Sequence, residues 1–232
     1  MKKTQAVIIL MAFVCLNIQA QNNISAIVEV NYNTFSHNSL KDFQQQLRND
    51  INEVNLEVND DFGANIGYSF GIKVEDINAQ FFASYNSTGG KISYSDFSGL
   101  IRVTQLLKAY TLGGEYQIKL SNDNSKKVFY FGARGFVNFT QLDLESYSKI
   151  SDIVTNETID FNSIDFGIGA RLIYDIPISV VKLRLNLGYD LMLGGELKFK
   201  ENSDFYLEDN QGDAVKTGWS GFRSGIGIVV PF

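Results

Sequence analysis

Cysteine, histidine and proline are nearly missing from this 232-residue chain, which has one Cys, one His and two Pro. Cys15 and His37 stand alone in their types, so thiolate zinc sites, disulfide scaffolds and Cys–His dyads are excluded. Basic charge is also scarce: 20 Lys and Arg face 26 Asp and Glu, which gives no support to binding of duplex DNA or other nucleic acid. Long apolar runs stop at residue 20, and none beyond it approaches the ~18 residues that a spanning helix needs. What is abundant is apolar side-chain surface, with 18 Phe and 11 Tyr, and this excludes a disordered chain.

The first twenty residues read as an address. Lys2 and Lys3 form a basic start, residues 6–16 an apolar stretch, and Ala20 a small residue before Gln21. This is the layout of a secretory signal peptide over 1–20, cut before Gln21. Its removal takes away two lysines and no acids, leaving 18 bases against 26 acids and no cysteine. The exported remainder, 21–232, must then be stable without disulfides.

That remainder carries one periodicity eight times. Across 180–199 the odd positions hold Val181, Leu183, Leu185, Leu187, Tyr189, Leu191, Leu193, Leu197 and Phe199, while the even ones hold residues such as Lys182, Arg184, Asn186, Asp190 and Lys198. Period two puts one face in an apolar medium and the other in a polar one. Its length, some three times the ~5–6 residues of a soluble strand, points to a membrane-crossing strand. The same alternation recurs over 26–32, 62–74, 77–86, 105–120, 129–140, 164–175 and 221–232. Phe82, Leu107, Phe136, Ile173 and Trp219 fall on the polar face as exceptions.

Connections alternate in length. Short links are expected at 75–76, 121–127 and 176–179, and long loops at 36–60, 87–101, 146–158 and 200–217. An even strand count with short turns at one end and long loops at the other predicts an all-β, eight-stranded antiparallel up-and-down transmembrane barrel. The polar face is rich in glycine, and small side chains belong in the crowded interior of an eight-stranded barrel. The Leu- and Phe-bearing face therefore meets lipid. Tyr32, Tyr85, Phe139, Tyr174 and Phe199 lie near strand ends, as interfacial girdles require.

Residues 226–232 alternate outward apolar positions and end on Phe232, as the terminal strands of bacterial outer-membrane barrels commonly do. With this ending, its Gln19-Ala20-Gln21 context and its eight alternating segments, the chain resembles small barrels of the OmpA/OmpX type. It is most similar to PorT-type outer-membrane β-barrel proteins of Bacteroidota. The resemblance implies a Gram-negative outer-membrane location, an assembly signal at Phe232 read by the barrel assembly machinery, and no catalytic positions.

Candidate chemistry is sparse. Leu40, Phe43, Leu47 and Ile51 recur at helical spacing, predicting a short helix over about 39–51 in the first extracellular loop, with Ser39 as its N-cap. Ser36, His37 and Ser39 are the candidates for an enzyme site, but no triad is recognisable, and a non-enzymatic protein is expected. Asp60-Asp61 and Asp204 with Glu208-Asp209 lack the spacing of a calcium loop, so neither metal nor cofactor is expected. Inward positions hold Glu29, Glu115, Asp165 and Asp190 against Arg134, Arg171, Arg184 and Arg223. Counted from the short-turn end, Arg134 falls with the lower group and Asp165, Asp190 and Arg223 higher. Mutual pairing of these eight would fill the lumen and block conduction. The expected role is structural, with outer-membrane lipid, lipopolysaccharide and other envelope proteins as partners; the alternative is a small-solute porin.

Overall fold

The structure, a computed structural model, describes residues 23–51, 54–121 and 127–232. The signal segment 1–20 and most of the link 121–127 lie outside the described residues. Ten strands and one helix follow in order: β1 (Ile24–Phe35), α1 (Asn38–Asp50), β2 (Glu57–Asp61), β3 (Asn65–Val74), β4 (Ala79–Ser95), β5 (Gly99–Lys119), β6 (Val128–Ile150), β7 (Ile153–Ile178), β8 (Val181–Gly194), β9 (Lys198–Phe199) and β10 (Gly221–Pro231).

Eight of the strands close on themselves. Antiparallel pairing runs β1–β3–β4–β5–β6–β7–β8–β10 and returns from β10 to β1, with Val30 opposite Ile226 at the closure. The stagger is explicit. Following Cα partners from Phe129 through Tyr174, Leu185, Ile226, Val30, Tyr68, Tyr85 and Tyr110 leads back to β6 at Phe139, ten residues beyond the start. A stagger of this size on eight strands tilts them by about 40° and leaves an interior only wide enough for side chains.

The wall is sorted by the pleat. Outward residues such as Phe70, Leu112, Phe166, Leu187 and Ile228 are each at least half exposed, while each has a buried inward neighbour. On the four longest strands the continuous outward apolar surface ends at one row, Tyr85–Tyr110–Phe139–Ile164, with only isolated apolar residues such as Leu106 and Val154 further out. The next outward row is polar: Ser87–Lys108–Gln141–Asn162.

Three expectations need correction. The segments 87–101 and 146–158 are not loops. β4 and β5 continue to a turn at 96–98, and β6 and β7 to a turn at Ser151-Asp152, with Ser151 at φ 55°. Their upper parts, joined at one edge by β2, project beyond the apolar band as a sheet. One face of this sheet is covered: Ile92 and Val103 are buried with Leu56 and pack against Ile101, Leu144 and the Leu47 and Ile51 side chains at the end of α1, while 146–158 carries no run of alternating apolar residues. The strand read over 180–199 ends at Gly194, because Gly194 and Gly195 take φ of 92° and 91° and turn the chain inward. Leu197 is consequently in the core, and Phe199 packs on Phe161 rather than joining a lipid-facing girdle. Phe62 likewise leaves its expected outward position; its φ of 56° swings the ring inside, where it is 1% exposed.

The helix α1 begins one residue earlier than expected and is capped differently. His37 occupies the N-cap without a side-chain bond, and the Ser39 hydroxyl instead accepts the Lys216 backbone N–H at 3.0 Å. Leu40, Phe43 and Gln44 are its buried residues, and it folds over the barrel mouth.

Candidate functional site

The lumen is where the inward charges meet, and it is layered. In the lowest layer the Arg171 guanidinium spans two acids. Its Nη1 donates to the Glu29 carboxylate at 3.1 Å, Nη2 donates to Glu115 at 3.0 Å, and Nε also donates to Glu115. Arg184 forks onto Asp175 with two bonds of 2.8 Å. Gln80 ties these groups together, accepting from Arg184 at 2.9 Å and from Gln117 at 2.9 Å. Lys73 closes the bottom, 2.7 Å from Glu75 and 4.3 Å from the centroid of the Tyr130 ring. Inward glycines make room for these long side chains. A Cβ on Gly132 would sit 2.9 Å from the Glu115 carboxyl carbon, and one on Gly169 would lie 2.3 Å from Asp190 Oδ1.

One layer up, Asp190 lies between two arginines, 3.7 Å from Arg134 and 3.3 Å from Arg223. The Arg134 guanidinium sits over the Phe82 and Phe136 rings at 4.2 and 4.9 Å. These two phenylalanines break the alternation in sequence, yet they give a buried cation its aromatic faces. Above them a belt of amides follows, with Asn33 donating to Asn65 at 3.1 Å and to Asn86 at 3.0 Å.

The top layer is apolar. Phe35, Leu40, Phe43, Phe62, Leu107, Leu142, Phe161, Leu197, Leu207, Val215 and Trp219 pack into one cluster drawn from the barrel wall, α1 and the 195–219 segment. Polar groups inside it are few and mostly bonded. Trp219 Nε1 donates to the Thr140 hydroxyl at 3.1 Å. His37 Nδ1 lies 2.5 Å from the Thr217 carbonyl, and its ring stands edge-on to Trp219 at 4.8 Å. Burial in this aromatic surround pulls the imidazole down to a pKa of about 4, against the partial support of the Thr217 bond, with nearby Lys41 lowering it further.

Of the eight inward charges expected to pair, seven make acid–base contacts. The grouping differs from a simple one-to-one match. Arg134 does not belong with the lower set; it shares Asp190 with Arg223. Counting residues from the turns ignores the register, which sets Arg134 opposite Gly169 and Gly169 opposite Asp190; Glu115 lies opposite Arg134 on the other side but is held by Arg171. Among the described residues no cation reaches Asp165. It accepts from the Ser163 and Thr217 hydroxyls at 2.7 and 2.8 Å and from Thr140 at 3.4 Å. Asp175, Lys73 and Gln80 complete the network and were missed. Asp175 and Lys73 share the inward parity of their strands, which was the available signal, but they sit next to the turns.

The Ser36–His37–Ser39 stretch forms no nucleophile–base pair. The His37 ring is wholly buried against the Thr217 carbonyl, while Ser39 faces the Lys216 backbone. Among the described residues no group of three or more His, Cys, Asp or Glu side chains is arranged to hold a metal ion.

No family model matches the chain, and no curated protein matches its sequence. Solved structures similar to it in strand arrangement include Neisserial surface protein A, with a TM-score of 0.40 at 10% identity over 90% of this chain and 97% of that one. A major outer membrane protein from Thermus thermophilus gives a TM-score of 0.48 at 10% identity over 90% of this chain and 99% of that one. The translocator domain of the autotransporter NalP from Neisseria meningitidis gives 0.24 at 11% identity over 99% of this chain and 95% of that one. The chain's own strand pairings make it a closed, eight-stranded antiparallel β-barrel with a side-chain-filled interior.

Proposed function

We propose that this protein is a non-enzymatic integral outer-membrane barrel with a structural or interaction role in the cell envelope, exported by its first twenty residues. The observation that carries the reading is the outward apolar band on a closed ring, ending at one row of Tyr, Phe and Ile. An aqueous setting would leave Phe166, Leu193 and their many apolar neighbours in water at a cost of ~25 cal/mol per Å². In a bilayer the same face is solvated by lipid, and a closed ring leaves no strand edge unpaired within the band. Outer-membrane lipid and lipopolysaccharide are the surroundings this implies. The terminal strand with Phe232 is its contact with the barrel assembly machinery, and PorT-type barrels of Bacteroidota are the family it is assigned to.

The lumen favours a closed barrel over the small-solute porin. Ion pairs and amides fill the lower layers, and the apolar cluster fills the mouth. The test has two parts. The protein should fractionate with outer membranes and show a heat-modifiable shift on gels; recovery in the soluble periplasmic fraction overturns the membrane reading. In planar bilayers the intact protein should carry no sustained current, and a stable open channel promotes the porin instead.

A further inference from the structure

The sheet that projects above the apolar band has two edges, and they are built differently. One edge is β2, only five residues long, with a register break between Val58 and Asp60 and three acids, Glu57, Asp60 and Asp61. Short length, a bulge and repeated like charge are the features that keep a strand edge from pairing with another chain. The other edge is the upper part of β7. There residues 153–159 are all exposed, the ladder to β6 is unbroken, and the segment contains neither proline nor lysine.

This edge is an incomplete ladder. β8 pairs with β7 only from Asp165 downward, and β9 covers only Phe161 and Asn162. The last bond on this side is the Lys200 backbone N–H donating to the Asp160 carbonyl at 3.0 Å. Backbone direction alternates along a strand, so Val154, Asn156 and Thr158 turn their N–H and C=O groups to the same side as Asp160. Among the described residues no strand meets them. At the foot of this run a cleft of about 270 Å³ opens between Thr158, Ile159 and Asp160 and the point where Phe199, Lys200 and Glu201 turn away.

We propose that the upper edge of β7 is a docking site for an extended segment of another protein, added as an antiparallel strand above β9. The side chains define what fits. On one face of β7, Ile153, Thr155, Glu157 and Ile159 follow one another; the register sets Ile153 beside Ile150 of β6, Glu157 beside Ser146 and Ile159 beside Leu144. The incoming strand therefore carries apolar residues opposite Ile153 and Ile159 and a lysine or arginine opposite Glu157. The chain itself provides a precedent one step lower, where Lys200 crosses to Asp160 at 2.9 Å. Main-chain bonds supply the attraction, and the alternating side chains supply the selection.

The site rests on the barrel reading only in that the sheet must stand clear of the bilayer. The probe is the blocked peptide acetyl-Val-Thr-Lys-Thr-Thr-Thr-Val-amide, titrated to millimolar concentration into the full-length barrel in nanodiscs. The amide signals of Val154, Asn156 and Thr158 should shift and gain exchange protection. Asn156→Pro removes an N–H that β6 does not use, so the heat-modifiable gel shift should persist while affinity falls at least tenfold. Glu157→Lys should transfer preference to the peptide with Glu in place of its Lys. Normal insertion without amide shifts at these three positions, or unchanged binding by Asn156→Pro, overturns the site and leaves the barrel standing. Concentration-dependent protection without peptide would mean that a second copy occupies the edge, and this also overturns the proposal. Failure to enter the nanodisc, or loss of the gel shift in the unmodified protein, counts instead against the barrel reading.

Discussion

The lower and upper halves of the lumen solve one packing problem in opposite ways. Below, the eight-stranded wall is narrow enough for its own inward side chains to reach across, and Arg171 alone bridges β7 to both β1 and β5. Above, half of the ring stops short while β4 to β7 continue. The chain closes the opening by folding α1 and the 195–219 segment into the mouth, and the filling becomes apolar. A charged interior is economical only where every long side chain meets a partner, because one unpaired buried charge costs several kcal/mol. Where extra chain must be brought in, apolar packing needs no such directional match.

The largest expected effect comes from breaking the lower layer. Arg171→Ala strands Glu29 and Glu115 together and should cost about 5 kcal/mol, the upper end for a broken buried pair. Arg134→Ala should cost less, about 2 kcal/mol, because Asp190 keeps Arg223 and the main loss is the contact with two rings. Urea unfolding in lipid vesicles measures both, and equal losses would show that Asp190 depends on Arg134.

Breaking the upper layer should cost somewhat less than Arg171→Ala and lack its electrostatic signature. Trp219→Ala removes a fully buried ring and its bond to Thr140, a loss of about 4 kcal/mol. The same unfolding assay at neutral pH in low and high salt should give one value. A strong salt dependence would mean that the cap is held by charge.

The third effect separates the layers by pH. His37 titrates near 4 in the folded cap and near 6.5 in the unfolded chain, so the unfolded state binds the proton first. Its contribution is intact above about pH 6.5, declines as pH falls, and is fully lost below about pH 4, by about 3 kcal/mol. His37→Phe should flatten stability across that window. A variant that keeps the full acid sensitivity would place the titrating group elsewhere.

Much of the barrel was legible in the sequence. Period two across eight segments fixed which side chains face out and which face in, because strand pleating leaves no other way to bury Arg184 and expose Leu187 on nearby positions of one strand. It also marked all of the arginines that form the network. The projecting sheet was not legible: its one covered face is built from a few apolar residues such as Ile92 and Val103, too short an alternation to stand out, and 146–158, polar and largely exposed, reads as loop although it is strand. The inward turn at Gly194 was hidden too, since Leu197 and Phe199 keep the parity of the strand they have left.

Which charge meets which is a matter of register between strands. Parity places Arg134, Asp165, Asp190 and Arg223 inside, but the registers of β6 on β7 and of β7 on β8 bring Arg134 to Asp190, and Asp165 meets hydroxyls. Register belongs to pairs of strands, and no single segment of sequence contains it. Residue order alone was enough to assign the two faces of the wall, since each strand's pleat is a local property. The heights at which inward groups meet came from the folded ring, because only strand pairing relates one strand's start to another's.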